Sequence, residues 1–165
     1  MEMGCRAMVE TVQLLFPGDD TIEILYEHLD EKNLFYIIEV HSSSAKCPSC
    51  DTLSTRSHSR YSREIKDMPQ GERHVTMKVF MHKWFCDAPD CPRKIFTERL
   101  SWLKPYRRRT DRMEKVLTEI ALSTSCLNAE KLCRSLSYPV SHDTLLRLIR
   151  KMEPTDERCS PFRGD

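Results

Sequence analysis

The sequence predicts an α+β fold, in which a small antiparallel β domain of the zinc-ribbon type precedes a three-helix domain of the helix-turn-helix type. Three observations support it: strand-like alternation in the first hundred residues, two close-spaced cysteine pairs, and helical periodicity after Pro105. We expect a short helix plus β-hairpin over 1–45, the ribbon-like domain over 46–104, the helical domain over 105–153 and a tail over 154–165.

The composition is that of a globular protein, with 31% charged and 39% hydrophobic residues in 165. The longest apolar runs, such as Leu34 to Ile38, are far too short to span a bilayer, and the first residues lack the pattern of a secretory signal. We therefore expect a cytoplasmic protein without a membrane partner. Thiols in that compartment stay reduced, so metal binding explains the eight cysteines better than disulfides do.

Charge is distributed unevenly along the chain. Residues 1–40 carry two basic and nine acidic side chains, whereas residues 56–112 carry fifteen basic and seven acidic ones. A basic central block suits contact with a polyanion. A solvated surface with an acidic partner elsewhere in the same chain would produce the same pattern.

Taken in order, the elements begin with a short helix over 8–16, which the Pro17-Gly18 turn signal ends. Two β-rich runs, 21–29 and 34–42, predict a β-hairpin. Two more, 60–68 and 72–85, predict an antiparallel pair around a turn at residues 69–71. In the last run one face consists of Val75, Met77, Val79 and Met81. The other face consists mostly of Thr76, Lys78, His82 and Trp84.

The cysteine pairs have the spacing of metal ligands. Cys47 and Cys50 form a C-x2-C pair, and Cys86 and Cys91 form a C-x4-C pair, each with prolines in or just after its turn. The predicted hairpin between the pairs brings the two turns together, so the four sulfurs would bind one structural zinc ion. Four thiolates leave no open coordination position for activated water. A rubredoxin-like iron site and ordinary buried thiols are the alternatives.

After Pro105 apolar residues recur at helical spacing. We expect three helices, over residues 111–122, 129–136 and 142–152. Thr110, Asn128 and Ser141 are the candidate N-caps, and Val140 with Leu145 can form a hydrophobic staple at the third helix. The short turn over 137–140 has the length found in a helix-turn-helix.

The third helix has the two faces that a DNA-recognition helix requires. Its apolar side consists of Leu145, Leu148, Ile149 and Met152, and its polar side of Asp143, Arg147, Arg150 and Lys151. One side would pack on the bundle while the other enters the major groove, where Arg147 can reach a guanine. The residues expected to contact DNA are Arg107, Arg108, Arg109, Ser141, His142, Asp143, Thr144, Arg147, Arg150 and Lys151. A generic three-helix bundle with a solvated charged face is the alternative.

The basic residues before the helices are the predicted phosphate contacts. Arg107, Arg108 and Arg109 would neutralise phosphates or enter a minor groove as an arm. On the ribbon, Arg56, Arg60 and Arg63 would add salt-dependent contacts. No catalytic residue is assigned.

Three stretches, CPSCDTLSTRSHSRYSREIKDMP, VTMKVFMHKWFCDAPDCPRKIFTERL and VSHDTLLRLIRKM, resemble the ISL-three family of insertion-sequence transposases over roughly residues 10–153. Members have a zinc-binding domain, then a helix-turn-helix, then an RNase-H-like domain with three catalytic acids. The resemblance implies zinc ligands at Cys47, Cys50, Cys86 and Cys91, and a DNA-reading helix over 142–152. It also implies double-stranded DNA at transposon ends as the partner, with a homodimer or a full-length transposase as further partners. The resemblance implies in addition a prokaryotic, nucleoid-associated protein.

Two departures from the family pattern qualify that expectation. Asp51 stands where the pattern usually has glycine, which predicts left-handed backbone geometry at some cost and weaker metal binding. The sequence offers no acidic triad for an RNase-H-like domain, so we expect no DNA cutting or joining by this chain alone. We expect a zinc-binding, sequence-specific DNA-binding part of a transposase that recognises terminal inverted repeats. A zinc-ribbon module for protein assembly and a transposase-derived repressor are the alternatives.

Overall fold

The computed structural model describes residues 15–16 and 18–152. The helix predicted over 8–16 lies outside the described residues except for its last two, Leu15 and Phe16, which are buried in the core of the sheet. The predicted tail over 154–165 also lies outside them.

The described residues form seven β-strands: β1 (Ile22–Leu29), β2 (Asn33–Val40), β3 (Ala45–Lys46), β4 (Leu53–Ser54), β5 (Ser57–Gln70), β6 (Arg73–Phe85) and β7 (Ile95–Thr97). Five of them make one sheet in the order β1-β2-β6-β5, with β7 paired to β6. The two shortest, β3 and β4, pair with each other.

The hairpin predicted in the first segment is confirmed, because β1 and β2 pair antiparallel. Its turn is closed by Asp30, whose Oδ1 accepts hydrogen bonds from the backbone N–H groups of Lys32 (2.8 Å) and Asn33 (2.6 Å). These bonds lower the pKa of Asp30. The Asp30 side chain thus closes a tight turn that contains no glycine.

The second strand of this hairpin also pairs in parallel with β6, which the sequence analysis did not anticipate. Leu34, Tyr36 and Ile38 on β2 are all buried, opposite Val75, Met77 and Val79 on β6. A two-stranded hairpin cannot cover such an apolar face by itself. The predicted segments 1–45 and 46–104 therefore share one sheet.

The long β5–β6 hairpin turns at Gly71, whose φ of 61° lies in the left-handed region that favours glycine. The face of β6 predicted to consist of Val75, Met77, Val79 and Met81 is buried. Trp84, predicted on the other face, is buried too, at only 2% exposure, but in a separate cluster. It packs with Phe96 and the cysteines at the end of the sheet, in a second apolar cluster separate from the main core.

The arginine run before the helices lies along the edge of the sheet. The backbone N–H of Lys66 on β5 donates to the carbonyl of Arg108 (2.9 Å), and the N–H of Thr110 donates to the carbonyl of Lys66 (3.1 Å). Nearby, the fully buried carboxylate of Asp67 accepts hydrogen bonds from Thr110 Oγ1 (2.5 Å) and Arg112 Nε (2.8 Å). A buried carboxylate needs such partners, so these contacts fix residues 107–112 on β5.

Three helices follow: α1 (Asp111–Ser123), α2 (Cys126–Ser135) and α3 (His142–Ile149). Thr110 caps α1 as predicted, because its Oγ1 accepts a hydrogen bond from the N–H of Met113 (3.3 Å). The predicted cap of the second helix is wrong. Ser125, three residues before Asn128, is the N-cap and accepts from the Asn128 N–H (3.3 Å).

The described chain divides into two compact units, residues 1–113 and 114–165, of which the second carries most of the helical residues. Its buried apolar side chains come from all three helices and the turn before the third: Leu117, Ala121, Ala129, Cys133, Tyr138, Val140, Leu145 and Leu148. None of the described helices has the length and apolar character that crossing a bilayer requires.

Candidate metal centre

The two cysteine pairs meet at one end of the sheet. The sulfurs of Cys47, Cys50, Cys86 and Cys91 all lie within 4.8 Å of one another. Cys47 Sγ is 3.8 Å from Cys91 Sγ, and Cys50 Sγ is 3.5 Å from Cys86 Sγ. Four sulfurs bound to zinc at about 2.3 Å occupy a tetrahedron with edges of about 3.8 Å, so the donor set and its size fit one such ion.

The first pair lies in a tight turn between β3 and β4. The N–H of Cys47 donates to the carbonyl of Thr52, and the N–H of Asp51 donates to the carbonyl of Cys47, both at 2.9 Å. Asp51 has a φ of 55°, so the left-handed geometry expected from its position is confirmed. The turn tolerates an aspartate where a glycine would fit without strain.

The second pair lies in the loop between β6 and β7. The N–H of Cys86 donates to the carbonyl of Lys94 (2.8 Å), and the N–H of Cys91 donates to the carbonyl of Ala88 (3.3 Å). These backbone bonds close the loop around the two cysteines. The C-x4-C spacing therefore permits a closed turn in which both sulfurs point to the same centre.

The site is closed on one side and open on the other. Cys47, Cys86 and Cys91 are buried among Trp84 and Phe96, whereas Cys50 is exposed. The Cys50 sulfur lies 3.3 Å from Thr52 Oγ1.

The electrostatics of the cluster favour a bound cation. The hydrogen bond with Thr52 lowers the pKa of Cys50 to about 6. At Cys86 a backbone hydrogen bond from Ala88 favours the thiolate, but burial and the neighbouring sulfurs prevail and raise its pKa to about 12. The pKa of Cys91 is also raised: a backbone bond from Arg93 opposes the shift, while burial and Cys50 produce it. The raised pKa values favour neutral thiols at Cys86 and Cys91, so ionisation of all four sulfurs would need a positive ion among them.

An ion pair that the sequence analysis missed joins the two cysteine turns. The guanidinium of Arg56, just after β4, pairs with Asp87, which follows Cys86, and its Nε donates to Asp87 Oδ2 at 3.3 Å. The hydrogen bond lowers the pKa of Asp87. The same guanidinium lies 4.1 Å from the centre of the Phe85 ring. Only the fold brings residues 56 and 87 together, so no local pattern reveals this pair.

The other predicted phosphate contacts on the ribbon also have partners within the chain. Arg60 pairs with Glu39 on β2, and Arg63 donates to the backbone carbonyl of Arg107. These arginines therefore contribute to the fold. Of the arginine run, Arg108 is exposed, while Arg107 and Arg109 are half-buried beside β5.

The helix α3 ends at Ile149, before the predicted end at residue 152, so Arg150 is its C-cap and Lys151 lies beyond it. Met152, predicted on the apolar side, is 47% exposed. Five of the predicted DNA-reading residues here are exposed: Ser141, Asp143, Arg147, Arg150 and Lys151. Ser141 is the N-cap, but its hydroxyl lies 3.1 Å from Thr144 Oγ1 and makes no bond to the helix backbone.

Glu130 on α2 caps α3 in place of Ser141. Its Oε2 accepts a hydrogen bond from the backbone N–H of His142 (2.9 Å) and lies 3.0 Å from the ring Nδ1 of the same residue. The backbone bond, followed by the ring, lowers the pKa of Glu130. A carboxylate at a helix N-terminus is also stabilised by the helix dipole. His142, a predicted base-edge contact, thus has a partner on α2, although its side chain is 43% exposed.

The turn between α2 and α3 is a closed structure. The N–H of Tyr138 donates to the carbonyl of Cys133 (2.9 Å), and the N–H of Ser137 donates to that of Arg134 (3.3 Å). This is the Schellman arrangement, with Ser137 at a φ of 61° where glycine is usual. Tyr138 and Val140 are buried, so the turn is fixed by backbone bonds and apolar packing.

Residues 43–91, which contain all four cysteines, match the family described as the zinc-finger of transposase IS204/IS1001/IS1096/IS1165. Among curated proteins, the transposase for insertion sequence element IS1001 of Bordetella parapertussis is 29% identical over 79 residues. The alignment covers 48% of this chain and 19% of that relative. No solved structure matches. The predicted resemblance to ISL-three transposases is confirmed, and the cysteine cluster fits the one structural zinc ion of such a ribbon.

Proposed function

We propose that this chain is the DNA-recognition part of an ISL-three-type transposase and binds the terminal inverted repeats of its element. The observation that carries the proposal is the α3 helix, which buries Leu145 and Leu148 and exposes Arg147, with exposed Arg150 and Lys151 directly after it, in a chain whose zinc ribbon matches that family. A role of this chain in DNA transposition, the activity of the full-length relative, is part of this proposal.

The third helix supplies base readout. Leu145 and Leu148 are buried, which leaves Arg147, Arg150 and Lys151 free to face the major groove. Arg147 is the residue that we assign to a bidentate contact with guanine. Asp143 and Thr144, with Ser141, lie at the end of the helix that meets bases or phosphates first.

Rigidity of the α2–α3 hairpin supports a helix-turn-helix role. A reading helix must keep its orientation while it is separated from α2 by a short turn. The Glu130–His142 contacts and the Schellman bonds at Ser137 and Tyr138 hold that geometry. In this proposal His142 positions α3 and does not read a base.

The arginine run and the zinc ion have supporting roles. Arg108, together with Arg107 and Arg109, would neutralise phosphates from a position fixed on β5. Zinc held by Cys47, Cys50, Cys86 and Cys91 would stabilise the ribbon without taking part in chemistry, because four thiolates fill its coordination shell.

Binding to duplexes of the element's terminal repeat tests this assignment. Arg147→Ala should relax sequence preference, with a loss of about 1–3 kcal/mol on the cognate duplex. Arg108→Ala should weaken cognate and random duplexes alike and reduce the slope of log K against log salt by about one. Equal, uniform losses from both variants would remove α3 as the reader.

A protein-assembly module is the second candidate, favoured by a set of exposed leucines in the helical unit. They are Leu122, Leu127, Leu132 and Leu136. Where exposed apolar side chains form one contiguous patch, they are typical of surfaces that bind another protein. Association that is insensitive to salt and lost on Leu127→Ser would favour this candidate over DNA recognition. Cleavage or strand transfer by the purified chain with magnesium would contradict a purely recognising role.

A further inference from the structure

A basic groove runs along β5, on the sheet unit and separate from α3. It has a volume of about 830 Å³ and is lined by Tyr61, Ser62, Arg63, Glu64, Lys66, Tyr106, Arg108 and Arg109. A smaller hollow continues it and shares Tyr61, Arg63 and Tyr106, adding Lys83, Arg93 and Arg99 among its lining residues. Within the described residues, the combined lining contains seven basic side chains and two acidic ones.

Such a concentration of like charge is unfavourable unless an anion lies nearby. Its basic lining residues are spread along the edge strand β5 and the arginine run, so a chain of phosphates matches the groove better than a single small anion. The neighbouring arginines on the ribbon, Arg56 and Arg60, have carboxylate partners. Lys66 and Arg108, by contrast, are exposed on the groove while their backbones hydrogen-bond to each other.

Tyr106 distinguishes this groove from a simple phosphate track. Its side chain is 89% exposed, and its φ is 61°. It occupies the third position of a turn closed by the Arg107 N–H and the Lys104 carbonyl (3.3 Å), where glycine is favoured. A bulky residue in this conformation is strained, and neither burial nor packing compensates for it. Tyr61, with Lys83 Nζ 5.2 Å from its ring centre, lines the same groove.

We propose that this groove binds single-stranded DNA, with Tyr106 stacking on an unpaired base while Lys66 and Arg108 contact flanking phosphates. Exposed aromatic rings beside a cationic track are the standard means of holding unpaired strands, because every base has a face on which a ring can stack. A duplex buries its base faces and offers none to Tyr106. This site contains none of the α3 residues to which we assign duplex reading, although it shares Arg108 with the proposed duplex phosphate contacts.

The test measures binding of the zinc-loaded full chain to oligo-dT of roughly 15 nucleotides, a length within the site sizes of single-strand binders. Tyr106→Ala should weaken binding about 5- to 150-fold, the range for loss of one stacked base, whereas Tyr106→Phe should keep it. Tyr26→Ala, which removes an exposed tyrosine on β1 at the opposite edge of the sheet, is the matched control and should change nothing.

A second variant separates function from folding. Tyr106→Gly relieves the backbone strain, so it should bind oligo-dT as weakly as Tyr106→Ala without lowering the Tm. Lys66→Ala should reduce the salt slope by about 0.7 per lost phosphate contact, and Lys32→Ala, in the β1–β2 turn, should not. Photocrosslinking from bromodeoxyuridine in the oligonucleotide should label Tyr106.

Three results would overturn the proposal: no binding of oligo-dT at low salt, unchanged binding by Tyr106→Ala, or crosslinks confined to residues 114–152. Arg147→Ala should leave oligo-dT binding intact. If Arg147→Ala loses its preference for the cognate duplex but binds oligo-dT normally, both sites are supported. The duplex assay and the oligo-dT assay test separate assignments, so a negative result in one does not contradict the other.

Discussion

The metal centre and the α2–α3 hairpin each hold two chain segments around a short turn, but they do so by different means. Around the cysteines the buried apolar side chains are few, chiefly Trp84 and Phe96. The helical hairpin instead buries residues from both helices and the turn, including Cys133, Tyr138 and Leu145. The ribbon end therefore depends on an ion, whereas the hairpin depends on packing.

Cysteine itself illustrates the difference. Cys133 is fully buried on α2, and burial raises its pKa, so it behaves as a small apolar side chain. Cys47 is equally buried, but its sulfur lies 3.8 Å from that of Cys91. The same residue type therefore fills a core in one region and surrounds an ion in the other, and only the neighbours decide which.

Removal of zinc should give the largest difference between the two regions. A structural zinc ion contributes on the order of 10 kcal/mol to a small ribbon. Chelation or Cys86→Ser should therefore abolish stoichiometric zinc and protection of β3, β4 and β7 amides from hydrogen exchange. Amides of α2 and α3 should stay protected. Cys126→Ser, on α2 and outside the cluster, is the control; if it also loses zinc, the ligand set is wrong.

Loss of the Asp67 carboxylate should have the next largest effect. Asp67→Ala leaves Thr110 and Arg112 without their acceptor, at a cost of about 1–3 kcal/mol in the free energy of unfolding. Glu64→Ala, at an exposed position of β5, should change that free energy by less than about 0.5 kcal/mol. Urea unfolding of the zinc-loaded protein measures both, and equal values would mean that Asp67 does not fix residues 107–112.

Acid should also destabilise the α2–α3 hairpin through the contact between Glu130 and His142. The pKa of Glu130 is lowered in the fold, so its stabilising effect is present above the unfolded value of 4.5 and is lost as pH falls through the lower folded value. Glu130→Gln should remove this part of the acid dependence. Circular dichroism of the helices against pH checks it, and an unchanged profile would contradict the capping role.

The smallest predicted effects come from one substitution placed in each region. Asp51→Gly and Ser137→Gly both relieve a positive φ, and each should gain up to about 1 kcal/mol. Asp51→Gly should tighten zinc binding in competition with a chelator, while Ser137→Gly should raise the Tm of the helices without altering zinc affinity. A change of zinc affinity with Ser137→Gly would mean that the two regions are coupled.

Local features were predictable from the sequence, and long-range ones were not. The cysteine spacing, the β1–β2 hairpin, the inward face of β6 and the Thr110 cap each depend on residues close together in the chain. The parallel β2–β6 pairing, the Arg56–Asp87 ion pair and the docking of Arg108 beside Lys66 join residues more than thirty positions apart. Sequence periodicity does not predict such contacts, because each forms only when distant segments are brought together by the assembled sheet.

X-ray absorption at the metal edge of the purified chain tests the central claim most directly, namely that four sulfurs from the two turns hold one zinc ion. The expected result is a zinc edge, one ion per chain, and a single shell of four sulfurs at about 2.3 Å. An iron edge, a shell containing nitrogen or oxygen, or a folded protein without bound metal would contradict it.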